Sequence, residues 1–408
     1  MARTSVWLSW KSALAALVTL GSIACQERLT SPGRCPELCP PNDLEIEDTT
    51  LVGVVVSDSS FRGYVLPHES PVMVVSAMDS FTSVAVIRFD ARPSRWFPTG
   101  GDTAGVRIGA VDSVTLDVRL LQRDTAAKNL ELLVYRIPVD QDSATTWDSL
   151  VTLIDDSRII QVIPVHDTVT VANIVYKIPP AAIEPDTITD SGMVAIAIGV
   201  RADRRTAVTL FSGESGASPR LRFYVRGEAP NDTLRNTFNL GPRFDTFVGT
   251  PTPRDAGFGI VVGNLPAARA LLRFELPQYI VDSTSVLRAS LQLRLQQPVS
   301  GRPNETFSIR AVPVLRDFGG KSVLIPDTSV QGRGTVTVGD TGTVVIEMSR
   351  VLRFWRAVSG DSIPRAVVLR ADPEDATLGE LRAARGGAGA SAPTMRVTFI
   401  RPYRFGVP

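Results

Sequence analysis

Thr115-Leu116-Asp117-Val118-Arg119-Leu120 decides the fold class, and Ser290-Leu291-Gln292-Leu293-Arg294-Leu295 repeats the pattern. Leu116, Val118 and Leu120 fall on one face, and Thr115, Asp117 and Arg119 on the other. A period of two is that of a strand with one wet and one dry face. Short runs of the same kind recur at Leu51–Ser57, Val72–Ala77, Leu130–Tyr135, Val194–Val200, Phe307–Val314 and Thr343–Glu347, separated by Gly, Pro, Asp and Ser. Strands with one wet face belong to antiparallel sheets, so the chain is predicted to be all-β, built of antiparallel β-sandwiches of jelly-roll type. One helix is expected, where Met348, Leu352, Trp355 and Val358 share a face and Gly360 follows. Trp355 then reads as core rather than as a ligand platform.

The strand motifs occur twice, in the same order. Ile87-Arg88-Phe89-Asp90 matches Leu272-Arg273-Phe274-Glu275, and Leu116–Leu120 matches Leu291–Leu295. Arg201-Ala202-Asp203 matches Arg370-Ala371-Asp372, and Ser218-Pro219-Arg220-Leu221-Arg222-Phe223 matches Ala392-Pro393-Thr394-Met395-Arg396-Val397. Four ordered matches imply two copies of one module. They predict tandem domains over 48–226 and 231–402, joined at Gly227-Glu228-Ala229-Pro230, with the short helix in the second. Each is long enough to close its own core.

Upstream of the modules the sequence reads as an address. Arg3 and Lys11 precede the apolar run Ala13–Leu20, and small residues lead to Ala24, which is a secretory signal pattern over residues 1–24. The run is shorter than the roughly 20 apolar residues of a spanning helix. Ser22-Ile23-Ala24-Cys25 is similar to a bacterial lipobox, with Ser22 where leucine is usual. Cys25 would then carry the lipid and head a tether over 25–47. Ser22 and Ala24 also suit ordinary signal peptidase, which would release a free secreted protein. Gln26 after the cysteine favours the outer membrane, with the chain facing the periplasm or the cell surface. Cys35 and Cys39 flank Pro36-Glu37-Leu38, and an oxidising envelope favours a small disulfide between them.

Composition narrows the function. Forty-three basic residues balance 42 acidic ones, so a partner bound by massed positive charge, such as nucleic acid, is not expected. The only histidines are His68, in a turn-like Pro67-His68-Glu69-Ser70, and His166, beside Asp167. There is no GxSxG, HExxH or P-loop sequence. The acid pairs Asp140 with Asp142 and Asp155 with Asp156 lack the regular spacing of a calcium loop. No enzyme activity, cofactor or metal is expected. A membrane barrel would alternate too, but the lipobox and the terminal Pro408 argue against one.

The second module resembles the DNRLRE-type β-sandwich family, grouped with carbohydrate-binding modules. Asp245-Thr246-Phe247-Val248 looks like its first strand, Arg269-Ala270-Leu271-Leu272-Arg273-Phe274-Glu275-Leu276 like its central strand, Ala289–Leu293 like the next, and Ala392–Phe399 like its closing strand. The family often has an arginine-glutamate pair before the closing strand. The first copy keeps only the acid, in Phe211-Ser212-Gly213-Glu214, and the second only the arginine, in Ala384-Arg385-Gly386. The resemblance implies a non-catalytic module that binds polysaccharide or another surface polymer, with Arg273 and Arg385 as candidate ligand-binding residues. Arginine suits acidic polymers because its planar fork matches a carboxylate. The alternative is a spacer or scaffold for envelope proteins, its arginines paired with acids on neighbouring strands.

Overall fold

The structure is a computed structural model and describes residues 46–97, 105–184, 192–228, 234–251, 259–265, 267–358, 363–387 and 389–401. The signal segment, Cys25 and the Cys35–Cys39 pair lie outside the described residues. From Glu47 onward the chain forms one compact unit.

The chain supplies, in order, β1 (Ile46–Val52), β2 (Val55–Arg62), β3 (Val72–Met78), β4 (Phe81–Phe89), β5 (Arg95–Trp96), β6 (Val106–Arg123), β7 (Leu130–Ile137), β8 (Ile159–Val165), β9 (Ala172–Ile178), β10 (Val194–Arg201), β11 (Ala207–Phe211) and β12 (Arg220–Gly227). There follow β13 (Arg235–Leu240), β14 (Pro242–Gly249), β15 (Ile260–Gly263), β16 (Ala268–Phe274), β17 (Ser285–Arg294), β18 (Ser300–Gly301), β19 (Thr306–Arg316), β20 (Val323–Leu324), β21 (Gly332–Thr337), β22 (Thr343–Glu347), β23 (Ala366–Asp372), β24 (Gly379–Ala383) and β25 (Thr394–Ile400). They make two curled antiparallel sheets. The first runs β13-β12-β6-β11-β3-β4-β10-β7-β8, with β14 beside β4 and both β5 and β9 beside β6. The second runs β1-β25-β17-β22-β21-β19-β23-β16-β15-β24-β18, with β2 beside β16 and β20 beside β19. The all-β antiparallel architecture is the one the alternation predicts.

Each sheet closes on its own apolar interior. Leu116, Val118 and Leu120 enter the first core beside Ile87, Leu221 and Phe223. Leu291 and Leu293 enter the second beside Leu272, Met395 and Val397. The predicted helix spans Ser349–Ala357 and lies over β17, where Ser349 Oγ accepts from Ala289 N–H at 2.7 Å. Trp355 is 4% exposed and its ring centre lies 5.4 Å from that of Phe274, so it is core, as its spacing predicts. The predicted run Leu51–Ser57 is two strands rather than one. Gly53 sits at φ +70° between β1 and β2, a backbone state glycine takes without a Cβ penalty, and the two strands part there, β1 to lie beside β25 and β2 beside β16.

The repeat is visible in the pairing. Leu116 sits opposite Leu221 across β6 and β12, and their counterparts Leu291 and Met395 sit opposite each other across β17 and β25. The division of the chain, however, differs from the predicted one. The first sheet is the continuous stretch from Val72 to Gly249, and the second combines 46–62 with 260–400. The expected boundaries, 48–226 and 231–402, therefore do not divide the sheets. Asp245-Thr246-Phe247-Val248, read as the second module's opening strand, lies in β14 along β4 of the first sheet. The opening strands of the first copy, β1 and β2, lie instead in the second sheet.

The two repeats have exchanged their opening strands, and the registers match. Asp245 stands opposite Ile87, and Asp58 stands opposite Leu272, the repeat counterpart of Ile87. Asp245 Oδ2 accepts from Gly213 N–H at 2.6 Å, and Asp58 Oδ2 accepts from Gly386 N–H at 3.0 Å. Sequence similarity fixes what an opening strand pairs with, but either copy presents an equivalent partner strand. Connectivity and packing decide which copy supplies it.

Candidate functional site

The sequence singles out Arg273 and Arg385, and the structure does not bring them together. Arg273, on β16, grips Asp317 with two prongs, Nε to Oδ2 at 2.6 Å and Nη2 to Oδ1 at 3.0 Å, and its Nη1 reaches Ser57 Oγ at 3.4 Å. That guanidinium, helped by Gly319 N–H, holds the Asp317 carboxyl below its usual range. Arg385 is exposed just beyond β24, with its stem against Gly259. It makes no hydrogen bond or ion pair among the described residues. The loop carrying Arg385 meets Asp58, whereas Arg273 meets Ser57. Successive strand residues project to opposite faces, so β2 separates the two arginines.

A larger constellation crosses the outer face of the second sheet. Residues Ile309, Ala311, Leu369 and Ala371 point into the core, which turns Arg310 and Arg370 outward. Arg310 is in register with Arg370 on β23 and with Arg333 on β21, and Arg333 is in register with Glu347 on β22. The register that sets Ala270 opposite Leu369 brings Arg269 beside Arg370. Four arginines therefore form a ladder across four neighbouring strands, spanning about 14 Å at about 4.8 Å per strand. Like charges directly opposite each other are destabilising. Asp372, the last residue of β23, and Glu374 just beyond it offset part of the repulsion. Arg269 donates to both Glu374 oxygens at 2.6 Å while lying 3.9 Å over the Tyr64 ring. Arg310 binds Asp372 at 2.5 Å, and Arg333 reaches the same oxygen at 3.8 Å.

The compensation is incomplete. Beyond Arg310, an open groove of about 430 Å³ is lined by Arg310, Gln331, Arg333, Glu347 and Arg350. Around ladder and groove, five guanidiniums face three carboxylates. Arg333 is 64% exposed, and Arg370 Nε is buried with no acceptor. Arg370 also pairs with Glu374 at 3.7 Å, so the forked donors open to solvent lie at the groove end of the line, on the exposed Arg333 and Arg350. Sequence reasoning passed over these arginines. Their signal was an arginine flanked by core residues, as in Ile309-Arg310-Ala311 and Leu369-Arg370-Ala371. What it lacked was the register that lines them up.

The remaining candidates are turn chemistry. His68 lies in a turn with its ring 6.3 Å from that of Phe244, and His166 Nδ1 meets Thr168 Oγ1 at 2.9 Å. Asp142 accepts from Ala144 N–H, and Asp155 caps a single helical turn through Ser157 N–H. Among the described residues no group of three or more His, Cys, Asp or Glu could hold a metal. One carboxyl is strongly perturbed. Asp245, 4% exposed, is pushed up to about 7 by burial, with neighbouring Glu214 adding to the rise and Gly213 N–H opposing it. No family model and no curated protein matches this chain.

Proposed function

We propose that this chain is a non-catalytic cell-envelope lipoprotein, anchored through Cys25, whose second sheet binds an acidic surface polymer. The observation that carries the reading is the arginine ladder Arg269–Arg370–Arg310–Arg333 with its open end at Arg350. A linear polyanion presents carboxylates or sulfates at intervals, and a row of planar guanidiniums can take them two oxygens at a time. The resemblance to carbohydrate-binding modules and the secretory address support the same reading. The test is retention of the purified mature chain on gels containing an acidic polysaccharide, with a neutral polysaccharide as control. Retention on the acidic gel that weakens with salt supports it, because exposed charge pairs are screened. Equal migration on both gels refutes it.

A second reading, a spacer or scaffold for envelope proteins, is favoured by a different observation. Arg273 is bound to Asp317, Arg62 to Glu380 and Arg396 to Asp48, so much of the sheet surface is internally paired. Co-purification of partner proteins from membranes, without polysaccharide retention, would select it.

A further inference from the structure

The register row that holds the arginine ladder continues past Arg333. Arg333 is in register with Glu347 on β22, Glu347 with Ser290 on β17, and Ser290 with Arg396 on β25. Arg396 in turn pairs with Asp48 on β1. The row therefore crosses the second sheet from β16 to β1, and a polymer laid across the strands along it meets a fixed order of charges.

Spare positive charge occupies only the middle of that row. Arg310 and Arg333 share Asp372, and Arg269 and Arg370 share Glu374. The exposed Arg350 side chain, at the groove, makes no hydrogen bond or ion pair among the described residues. To either side the charges are matched. Toward β25, Arg288 lies 3.9 Å from Glu347, and Arg396 Nε donates to both oxygens of Asp48, at 3.1 and 2.9 Å. Toward β2, Arg273 is held by Asp317 and Arg62 by Glu380. From Arg333 to Arg396 is three strand spacings, about 14 Å. The first group on that path is an acid, the half-exposed Glu347.

Two residues along the strands lies a row without charge. Gln292 is in register with Val345 on β22 and with Thr394 on β25, and its Oε1 accepts from Thr394 Oγ1 at 3.3 Å. Val345 is exposed.

We propose that the ligand is a polysaccharide whose anionic groups stand isolated among neutral sugars, one such group seated in the groove between Arg333 and Arg350 and its uncharged neighbours lying over Val345, Gln292 and Thr394. This rests on the polymer-binding reading and narrows it. A polyuronate carries a carboxylate on every sugar. Seating one of them in the groove sets the next ones against Glu347 and along a stretch where each arginine already has its acid, so they meet repulsion without a free partner. Neutral sugars meet none. Their hydroxyls suit the amide of Gln292 and the hydroxyl of Thr394, and their C–H faces cover Val345.

The test is gel retardation of the purified mature chain, at one ionic strength, in deacylated gellan, polygalacturonate and neutral dextran. Gellan carries a carboxylate on every fourth sugar and polygalacturonate on every sugar. At equal carboxylate concentration, gellan should retard the protein several-fold more strongly. Equal or stronger retardation by polygalacturonate overturns the inference and leaves acidic-polymer binding standing. Retardation by neither charged polymer beyond that of dextran overturns both. Glu347→Gln removes the flanking acid and keeps an oxygen for Ser349 N–H, which Glu347 Oε1 accepts at 2.8 Å. That variant should gain more retardation in polygalacturonate than in gellan, narrowing their ratio several-fold, and an unchanged ratio overturns the charge argument.

Discussion

The sheet boundaries make a quantitative prediction about where the chain can be cut. A fragment of residues 72–251 keeps the whole first sheet, including β13 and β14. A fragment of 72–228 ends where the repeat ends and loses both. In the longer fragment β14 covers β4 from Ser83 to Phe89, and β13 covers β12 from Leu221 to Arg226. The two lost strands contribute three apolar side chains that are nearly buried, Leu240 at 6%, Phe247 at 6% and Val248 at 8%. At about 1.5–3 kcal/mol each, their burial contributes roughly 5–9 kcal/mol, an upper figure because the unfolded chain is partly compact. A typical domain has only about 5–15 kcal/mol in all. Both fragments lose Leu265 and Leu378, which enter the first core from the second-sheet part of the chain, so that loss cancels in the comparison. Urea unfolding followed by Trp96 and Trp147 fluorescence should show a cooperative transition for 72–251 and little or none for 72–228. Equal midpoints and slopes would refute the exchanged-strand account. Restoring residues 46–71 to the shorter fragment should recover part of the loss, since β1–β2 matches the vacant seat in register.

Asp245 sets a pH dependence of opposite sign to that of a salt-bridged acid. Its carboxyl, about 7 in the fold against an ordinary 3.8, binds more protons folded than unfolded between those values. Stability is therefore lost as pH rises from about 4 to 7, by at most about 1.4 kcal/mol per pH unit. Asp245→Asn should remove that slope in denaturation curves taken across the range, and an unchanged slope would assign it elsewhere. Arg273→Ala should cost only about 1 kcal/mol, since the pair with Asp317 is partly exposed, and should leave polymer retention intact. A large loss of retention would restore Arg273 as a binding residue. Arg333→Ala with Arg350→Ala should lower retention on the acidic gel and flatten its salt dependence without shifting the unfolding midpoint. Trp355→Ala should destabilise by about 3–5 kcal/mol through the cavity left against Phe274, read as a lowered urea midpoint.

The arginine ladder shows why the candidate site was harder to read than the fold. Arg273 sits in the sequence as conspicuously as Arg310 does, between apolar neighbours on a strand. Asp317, distant in sequence and brought in by the turn after β19, binds it and removes it from the list of free donors. Arg310, Arg333 and Arg370 are separated by dozens of residues, and their common line exists only once β19, β21 and β23 are paired. Asp245 is a parallel case. Nothing local in Phe244-Asp245-Thr246 marks a raised carboxyl, because the cause is the first sheet closing over it.

Local chemistry alone settled the strand alternation at Thr115–Leu120 and Ser290–Leu295, the helix over Ser349–Ala357 and the core role of Trp355. Each depends on a periodicity of two or 3.6 residues along the chain, which the sequence states directly. It also showed the duplication. The tertiary structure alone decided which opening strands lie in which sheet, because Asp58 and Asp245 meet glycine N–H groups and equivalent partner strands. When two seats are chemically alike, side-chain pattern cannot choose between them, and the choice falls to how the connecting segments cross and pack.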